Sequence, residues 1–367
     1  MPDGLRPRRP ASLLAQLVPL FAVLLAFAVG ALMLLALGVN PWGALKALLQ
    51  GAFGDLNAIA DTIVKAVPLL FVGLGICISF RGGVLNIGGE GQLVVGALAA
   101  TAVALAGTGL PGWMLATASL LAGALAGAIW GGIAGFLKAY LNVNEILSTI
   151  MLNYIAVYGM NYLLRGPMMD PIQVKLGFFI PQTARLPRAA DLPRLVPTRL
   201  HLGALLAVVV AVLVYIFLWR TTVGFRIRTV GMSRRAALTA GIEVRRYMVL
   251  GLLLAGLLAG LGGAVEVLGV HHRMFTDGTA FGFTGGAGFN GIVAALFGRL
   301  HPLGTIPSSF LFGALLTGAN KMQRVMQVPA ALIVALNGLI VLFVVGSEVI
   351  RRRRLRRLEK LSAEGEG

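Results

Sequence analysis

Long uncharged apolar runs, cut by short clusters of arginine, glycine and proline, make up most of the chain. Ala11 to Leu45 contains no charged residue at all. Roughly 20 apolar residues of helix cross a hydrocarbon core of about 30 Å, so a run of that length can span. The runs predict ten helices: Ser12–Leu37, Ala58–Phe80, Val84–Ala106, Trp113–Leu137, Ile146–Leu164, Leu202–Trp219, Met248–Val270, Gly286–Phe297, Ile306–Gly318 and Val328–Ile350. The eighth and ninth are short and read as broken helices rather than full spans. Arg6, Arg8 and Arg9 ahead of the first run resemble the start of a signal peptide. The run is too long for the apolar region of one, so a retained first helix is expected.

Composition agrees. Hydrophobic residues are 57% of the chain and charged residues 12%, half of the roughly one quarter usual in soluble proteins. The expected fold is all-α, a polytopic integral membrane protein of the cell (plasma or inner) membrane. A net charge of +17 could suggest nucleic acid. That would need a basic face on a soluble domain, whereas these charges sit between apolar runs and at the two ends. They fit loop charge that orients helices and meets anionic head groups of membrane lipid. Both ends are arginine-rich, so both are expected in the cytoplasm, which an even number of spans allows. The chain then divides into a basic tail (1–11), a membrane domain (12–350) and a second basic tail (351–367). The loop 220–247, with seven arginines, falls inside. The loop 165–201 falls outside although it carries six basic residues, and its six prolines suggest an ordered lid or docking loop.

Gly123, Gly127, Gly131 and Gly135 recur at every fourth position, the spacing that lets helix backbones approach closely in lipid. The lone Cys77 lies in an apolar run and reads as a small buried hydrophobe; one cysteine assembles no disulfide or zinc site. His271-His272-Arg273 after Glu266 could bind a metal, but adjacent histidines on an external loop are more simply solvated. No metal and no cofactor is expected.

Polar groups inside apolar runs are costly and therefore informative. The densest cluster is Phe80-Arg81-Gly82-Gly83-Val84-Leu85-Asn86-Ile87-Gly88-Gly89-Glu90-Gly91-Gln92. Gly82, Gly83, Gly88, Gly89 and Gly91 cannot hold a regular helix, each costing about 1 kcal/mol relative to alanine. Irregular backbone at membrane depth must be buried in protein or line a cavity. Two readings follow: a broken helix beside a translocation path, or a re-entrant structural turn with Glu90 paired to Arg81. The second cluster is Asn144-Glu145-Ile146-Leu147-Ser148-Thr149-Ile150-Met151-Leu152-Asn153-Tyr154. There Asn144 or Glu145 can cap a helix, and Asn153 needs a partner from another helix.

These two stretches resemble the signatures of the permease family of ABC importers for nucleosides and simple sugars, related to the branched-chain amino acid permeases. The resemblance continues through Thr222-Val223-Gly224-Phe225-Arg226-Ile227-Arg228, Gly231, and Ala236-Ala237-Leu238-Thr239-Ala240-Gly241-Ile242. It extends over Gly286-Ala287-Gly288-Phe289-Asn290-Gly291 and Gly298-Arg299-Leu300-His301-Pro302, and departs at Met232-Ser233-Arg234. It implies alternating access driven by a separate cytoplasmic ATP-binding subunit. It also implies a second permease subunit, a paralogue or a copy, and an extracytoplasmic solute-binding protein. Asn86, Glu90, Gln92, Asn153 and Asn290 are the candidates for the substrate path; Gly286, Gly288 and Gly291 join the earlier glycines as helix-break or packing positions. A short helix at Ser233–Ala240, with Ser233 as N-cap and Gly241 just past its end, would project into the cytoplasm. Arg226, Arg228, Gly231, Ser233, Ala236, Ala237 and Gly241 are accordingly the candidate coupling residues. The alternative is a solvated basic loop held at anionic lipid.

Gly286 to Gly291 also fits G-x-G-x-x-G, but the dinucleotide fingerprint requires a preceding strand, and the surroundings here are membrane runs. No G-x-x-x-x-G-K-[ST] occurs, so the chain does not hydrolyse ATP by a P-loop mechanism. No catalytic constellation is expected and the chain does not read as an enzyme. An ion-coupled secondary transporter is the competing reading, and its carboxylates would be Asp61, Glu90 and Glu266. Within the resembled family, the N-I-G-x-E-G-Q form favours nucleosides over sugars.

Overall fold

In the computed structural model, the structure describes residues 28–329 together with residues 25, 335, 338, 339 and 342. The two basic tails, most of the first expected helix and nearly all of the tenth lie outside the described residues. The elements in order are α1 (Ala28–Ala36), α2 (Pro41–Phe53), α3 (Leu56–Arg81), α4 (Gly89–Ala106), α5 (Gly112–Leu141), α6 (Glu145–Arg165) and α7 (Pro171–Lys175). They continue with α8 (Gly203–Arg220), α9 (Thr222–Met232), α10 (Arg234–Thr239), α11 (Val244–Glu266), α12 (Phe281–Thr284), α13 (Ala287–Phe297) and α14 (Pro302–Met326). Among the described residues the fold is all-α.

Six helices (α3, α4, α5, α6, α8 and the α11 segment to His271) are long and apolar enough to cross a membrane, and α1 with α2, bent by 119°, make a seventh candidate. The ten-helix expectation is met by these at its second to seventh positions. Its eighth, Gly286–Phe297, is the short α13. Its ninth, Ile306–Gly318, lies inside the longer α14, which begins at Pro302 because proline suits a first helical turn. The sequence reading missed α2, whose apolar content is interrupted by Gly43, Lys46 and Gln50. Pro41 opens it, and the Asn40 side chain accepts from Trp42 N at 2.9 Å.

The contacts form two units, residues 1–49 with 319–367 and residues 50–318. In the smaller, Leu34, Ala44, Ala47, Ala319, Met322 and Val328 make a compact apolar cluster. In the larger, α3, α4 and α11 are the most deeply buried spans, and α6 and α8 the least.

Glycine spacing explains the centre of the larger unit. The stripe on α5 faces a second stripe on α11. A Cβ on Gly127 would strike the Gly256 carbonyl and Gly260, one on Gly256 the Gly127 carbonyl, and one on Gly131 the Leu252 carbonyl. The two backbones therefore lie in direct contact. Gly96 of α4 meets Gly260 in the same way. Close approach of this kind replaces the hydrophobic driving force that lipid does not supply.

The expected helix from Val84 starts five residues late, at Gly89. Residues 82–88 run without helical structure, and Gly83 sits in the left-handed region at φ +72°. Gly83 packs beside Gly231, while Gly89 packs against Val72 and Gly288. Val72 lies nine residues before Arg81 on α3, a rise of about 13 Å at 1.5 Å per residue. The glycine-rich segment thus climbs back into the bundle, and α4 begins at mid-depth.

Candidate functional site

Two helix N-termini meet at that depth. The N-terminus of α4 has a glycine, Gly88, at its cap position and no side-chain cap of its own. Asn153 of α6 supplies one: its Oδ1 accepts from Gly91 N at 2.8 Å, and its Nδ2 donates to the Ile87 carbonyl at 2.9 Å. Asn86 Nδ2 donates to Gln92 Oε1 at 3.0 Å, and Asn86 Oδ1 accepts from Gly88 N at 2.9 Å. Asn86, Gln92 and Asn153 are all buried.

The N-terminus of α13 repeats the arrangement. Gly285 and Gly286 break the chain between α12 and α13 at φ +60° and +76°, and again no local side chain caps the helix. Glu90 bridges the break. One carboxylate oxygen accepts from the Thr284 hydroxyl at the end of α12, and the other accepts from Gly288 N at 2.8 Å. A carboxylate at a helix N-terminus meets unpaired N–H groups and the positive end of the dipole. Gly288 itself lies on the Glu90 backbone, with no space for a Cβ.

Two of the three caps therefore come from another helix: Asn144 caps its own α6 at Ile146 N (2.9 Å), whereas Asn153 of α6 caps α4 and Glu90 of α4 caps α13. The expectation that Asn153 needs a partner from another helix is met. The pairing of Glu90 with Arg81 is not: Arg81 Nε donates to the Leu300 carbonyl at 2.6 Å and its guanidinium lies 4.6 Å from the Trp219 ring. Glu145, weighed as a cap, instead pairs with Lys138 Nζ at 2.7 Å. Asn290 stands half-buried one turn into α13, while Gly291 packs against Val72 and Leu69 of α3.

A third contact joins this core to the arginine-rich loop. Ser233 caps α10 through Ala236 N at 3.3 Å, Ala237 is buried, and Gly241 follows at φ +72°, as the spacing predicted. The sequence reading gave no helix to residues 222–232, where α9 forms with Thr221 as its cap, accepting from Gly224 N at 3.1 Å. Gly231 near the end of α9 lies directly on the Arg81 carbonyl, and Arg234 Nη2 donates to the Gly83 carbonyl at 3.1 Å. Ile227 is buried and borders Gly82. Arg226 Nη1 donates to Tyr247 Oη at 2.9 Å, and Arg228 lies over Trp219 at 5.5 Å. His301 lies tilted against the same indole, and burial pushes its imidazole below the ordinary value.

At the other end of the bundle, the loop 165–201 is ordered, as its prolines suggested. Thr183 N donates to the Met274 carbonyl, Leu186 N to His272 and Leu192 N to Leu268. The adjacent histidines are half-buried rather than solvated and turn to different carboxylates, His271 to Glu266 at 3.3 Å and His272 to Asp191 at 2.8 Å. Burial holds His201 and His272 below the usual histidine value, and Asp191 partly opposes this at His272. Asp277, accepting from Thr279 N–H, is held low. Among the described residues no group of three or more His, Cys, Asp or Glu side chains, Asp61, Glu90 and Glu266 included, is placed to hold a metal ion.

Comparison with known proteins follows the same lines. The family described as branched-chain amino acid transport system / permease component matches residues 58–345. The guanosine ABC transporter permease protein NupP of Bacillus subtilis is 38% identical over 336 residues, covering 91% of this chain and 94% of that one. The glucose ABC transporter permease protein TsgB13 of Haloferax volcanii is 36% identical over 363 residues, covering 96% and 93%. The nucleoside ABC transporter permease protein NupB of Lactococcus lactis is 29% identical over 316 residues, covering 84% and 85%. With its broken helices, its glycine-packed spans and a match over most of its length, this multi-pass membrane chain belongs to the family of ABC transporter permeases described as the branched-chain amino acid transport system permease component.

Proposed function

We propose that the chain is one membrane subunit of an ABC importer for nucleosides, working beside a second permease subunit. A cytoplasmic ATP-binding subunit would drive it and an extracytoplasmic solute-binding protein would feed it. The observation that carries this reading is the joint between α9–α10 and the Gly82–Gly83 turn. Positive-inside orientation puts that arginine-rich loop in the cytoplasm, where a short capped helix offers a docking point. Movement of α10 acts through Gly231 and Arg234 on residues 81–83, and these lead through the non-helical residues 84–88, including Asn86, to Glu90 and α4. Asn86, Glu90, Gln92 and Asn153, named from sequence, serve in this scheme as clasps that hold two half-helices, rather than as an open lining. Nucleoside as the cargo is supported by the guanosine and nucleoside relatives; the glucose relative makes sugar the competing outcome.

The deciding experiment is uptake of labelled guanosine into vesicles holding this chain with its ATPase, companion permease and binding protein. ATP-dependent uptake that unlabelled nucleosides compete for, and glucose does not, is expected. Uptake that ignores ATP and collapses with a proton or sodium ionophore would sink the importer. Within that assay Gly231→Val is expected to cut transport about tenfold. The added side chain meets backbone at Arg81 that cannot rotate away, and such overpacking costs about 1–3 kcal/mol. Insertion and ATP hydrolysis should persist; equal loss of all three would argue for misfolding instead.

A further inference from the structure

Three spans of the larger unit present a broad exposed face, and the three faces differ in chemistry. On α8 the exposed large side chains are Leu205, Val208, Val209, Val212, Leu213 and Ile216; on α5 they are Leu121, Leu125, Ile129 and Ile133 along the middle, with aromatic Trp113, Phe136 and Tyr140 only towards the ends. At membrane depth both faces are aliphatic and suited to lipid tails. On α6 the buried face is Thr149, Asn153, Ala156, Met160 and Leu164, and the opposite face carries Tyr154, Tyr158 and Tyr162 at 55, 68 and 73% exposure beside the apolar Leu147, Met151 and Ile155. Residues four apart share one helix face, so the three rings form a ladder over a rise of about 12 Å.

Its position is defined at both ends. Tyr154 follows Asn153, the residue that clasps α4 at mid-depth. Beyond Tyr162 the helix ends in a surface hollow lined by Asn161, Tyr162, Arg165, Gly166 and Gly278. Asn161 holds the far wall of that hollow, accepting from Thr276 Oγ1 at 2.7 Å and donating to the Gly278 carbonyl at 3.0 Å. Phenol groups belong at the membrane–water boundary, where one end of the ring is wet. A row of them running inward to mid-depth marks a face that meets water rather than lipid, since an unpaired hydroxyl in hydrocarbon is costly.

We infer that the exposed face of α6 is a wall of the solute path, and that Tyr154, Tyr158 and Tyr162 pass a planar, hydrogen-bonding cargo inward by successive stacking. The inference rests on the nucleoside reading above for the identity of that cargo. Aromatic stacking suits any nucleobase, because every base offers a π face, while the phenol hydroxyls reach the ribose and the base edge. The rings hold the cargo weakly and repeatedly, as a path that must release it requires.

The test uses the assembled transporter in proteoliposomes with Cys77 replaced by alanine. Single cysteines replace Tyr154, Tyr158 or Tyr162, and controls replace Val209 on α8 and Ile129 on α5. Labelling by a charged, water-soluble methanethiosulfonate is expected to be at least about tenfold faster on α6 than on the controls, and guanosine but not glucose should slow it. Similar rates on all three helices would overturn the wall. Fast labelling that guanosine leaves unchanged would overturn the stacking role. In uptake, Tyr158→Leu should raise the guanosine KM about tenfold, from the 1–3 kcal/mol that one stacked base contributes, while Tyr158→Phe stays within about threefold. If the unaltered transporter carries glucose and no nucleoside, the cargo reading fails in the uptake assay, and the labelling rates still decide separately whether α6 faces water.

Discussion

Gly256→Ala is expected to remove most of the folded permease from the membrane, whereas Gly132→Ala leaves it intact or slightly stabilised. Both changes replace a helical glycine by alanine, so both gain the same intrinsic helix propensity of about 1 kcal/mol. Only the surroundings differ. The new methyl at Gly132 would touch Leu253 Cδ1 at 3.7 Å, an ordinary contact with a movable side chain. At Gly256 it would lie on the carbonyl of Gly127 and within 3.0 Å of the Gly131 Cα, both backbone. Relief requires α5 and α11 to separate along their length, which also opens the Gly96–Gly260 contact with α4. Fluorescence-detected size exclusion of detergent extracts compares the two directly. A Gly256→Ala peak as large and symmetric as that of Gly132→Ala would show that the helices are not in backbone contact.

Half of this contact was legible in the sequence. Gly123, Gly127, Gly131 and Gly135 announced a packing face by their spacing, but Gly256 and Gly260 do not advertise themselves as its counterpart. In α11, glycine also occurs at Gly251, Gly262 and Gly263, and only three-dimensional pairing separates those that meet α5. The break after Arg81 was legible for a similar reason: five glycines in ten residues defeat a helix wherever they are placed. What they return to was not. That Glu90 faces Thr284 and Gly288, nearly two hundred positions away, follows from two half-helices stopping at the same depth, and no local pattern encodes that depth. Arg81 was the natural guess because it is near in sequence and opposite in charge; Leu300 and Trp219 claim it instead. The tyrosine ladder was overlooked because aromatic residues in an apolar run look like core. Burial alone reveals that they point outward.

The broken helices also change what a buried carboxylate means in this fold. Had Glu90 been a cargo or ion ligand, its oxygens would face open space; here Thr284 and Gly288 already occupy them. Glu90→Ala is therefore expected to act first on stability. It leaves the Gly288 N–H without its acceptor in a buried place, about 1–3 kcal/mol, while the Thr284 hydroxyl can turn to the Ala280 carbonyl at 3.1 Å. Such a loss is a sizeable part of the roughly 5–15 kcal/mol that holds a domain folded. The midpoint of thermal inactivation should fall by about 2–10 °C, and guanosine uptake should drop severalfold further because α13 is no longer tied to α4. Glu90→Gln keeps a carbonyl acceptor of the same length at the α13 N-terminus and should recover most of the thermal loss. Thr284→Val removes the Thr284 contact to Glu90 and also the acceptor of Gly286 N–H at 3.0 Å. Combined with Glu90→Ala it should add only that second loss, because the contact the two residues share is lost once. A full thermal midpoint in Glu90→Ala together with abolished uptake would assign the carboxylate to the cargo or to a coupled ion, and would return the secondary-transport reading to consideration.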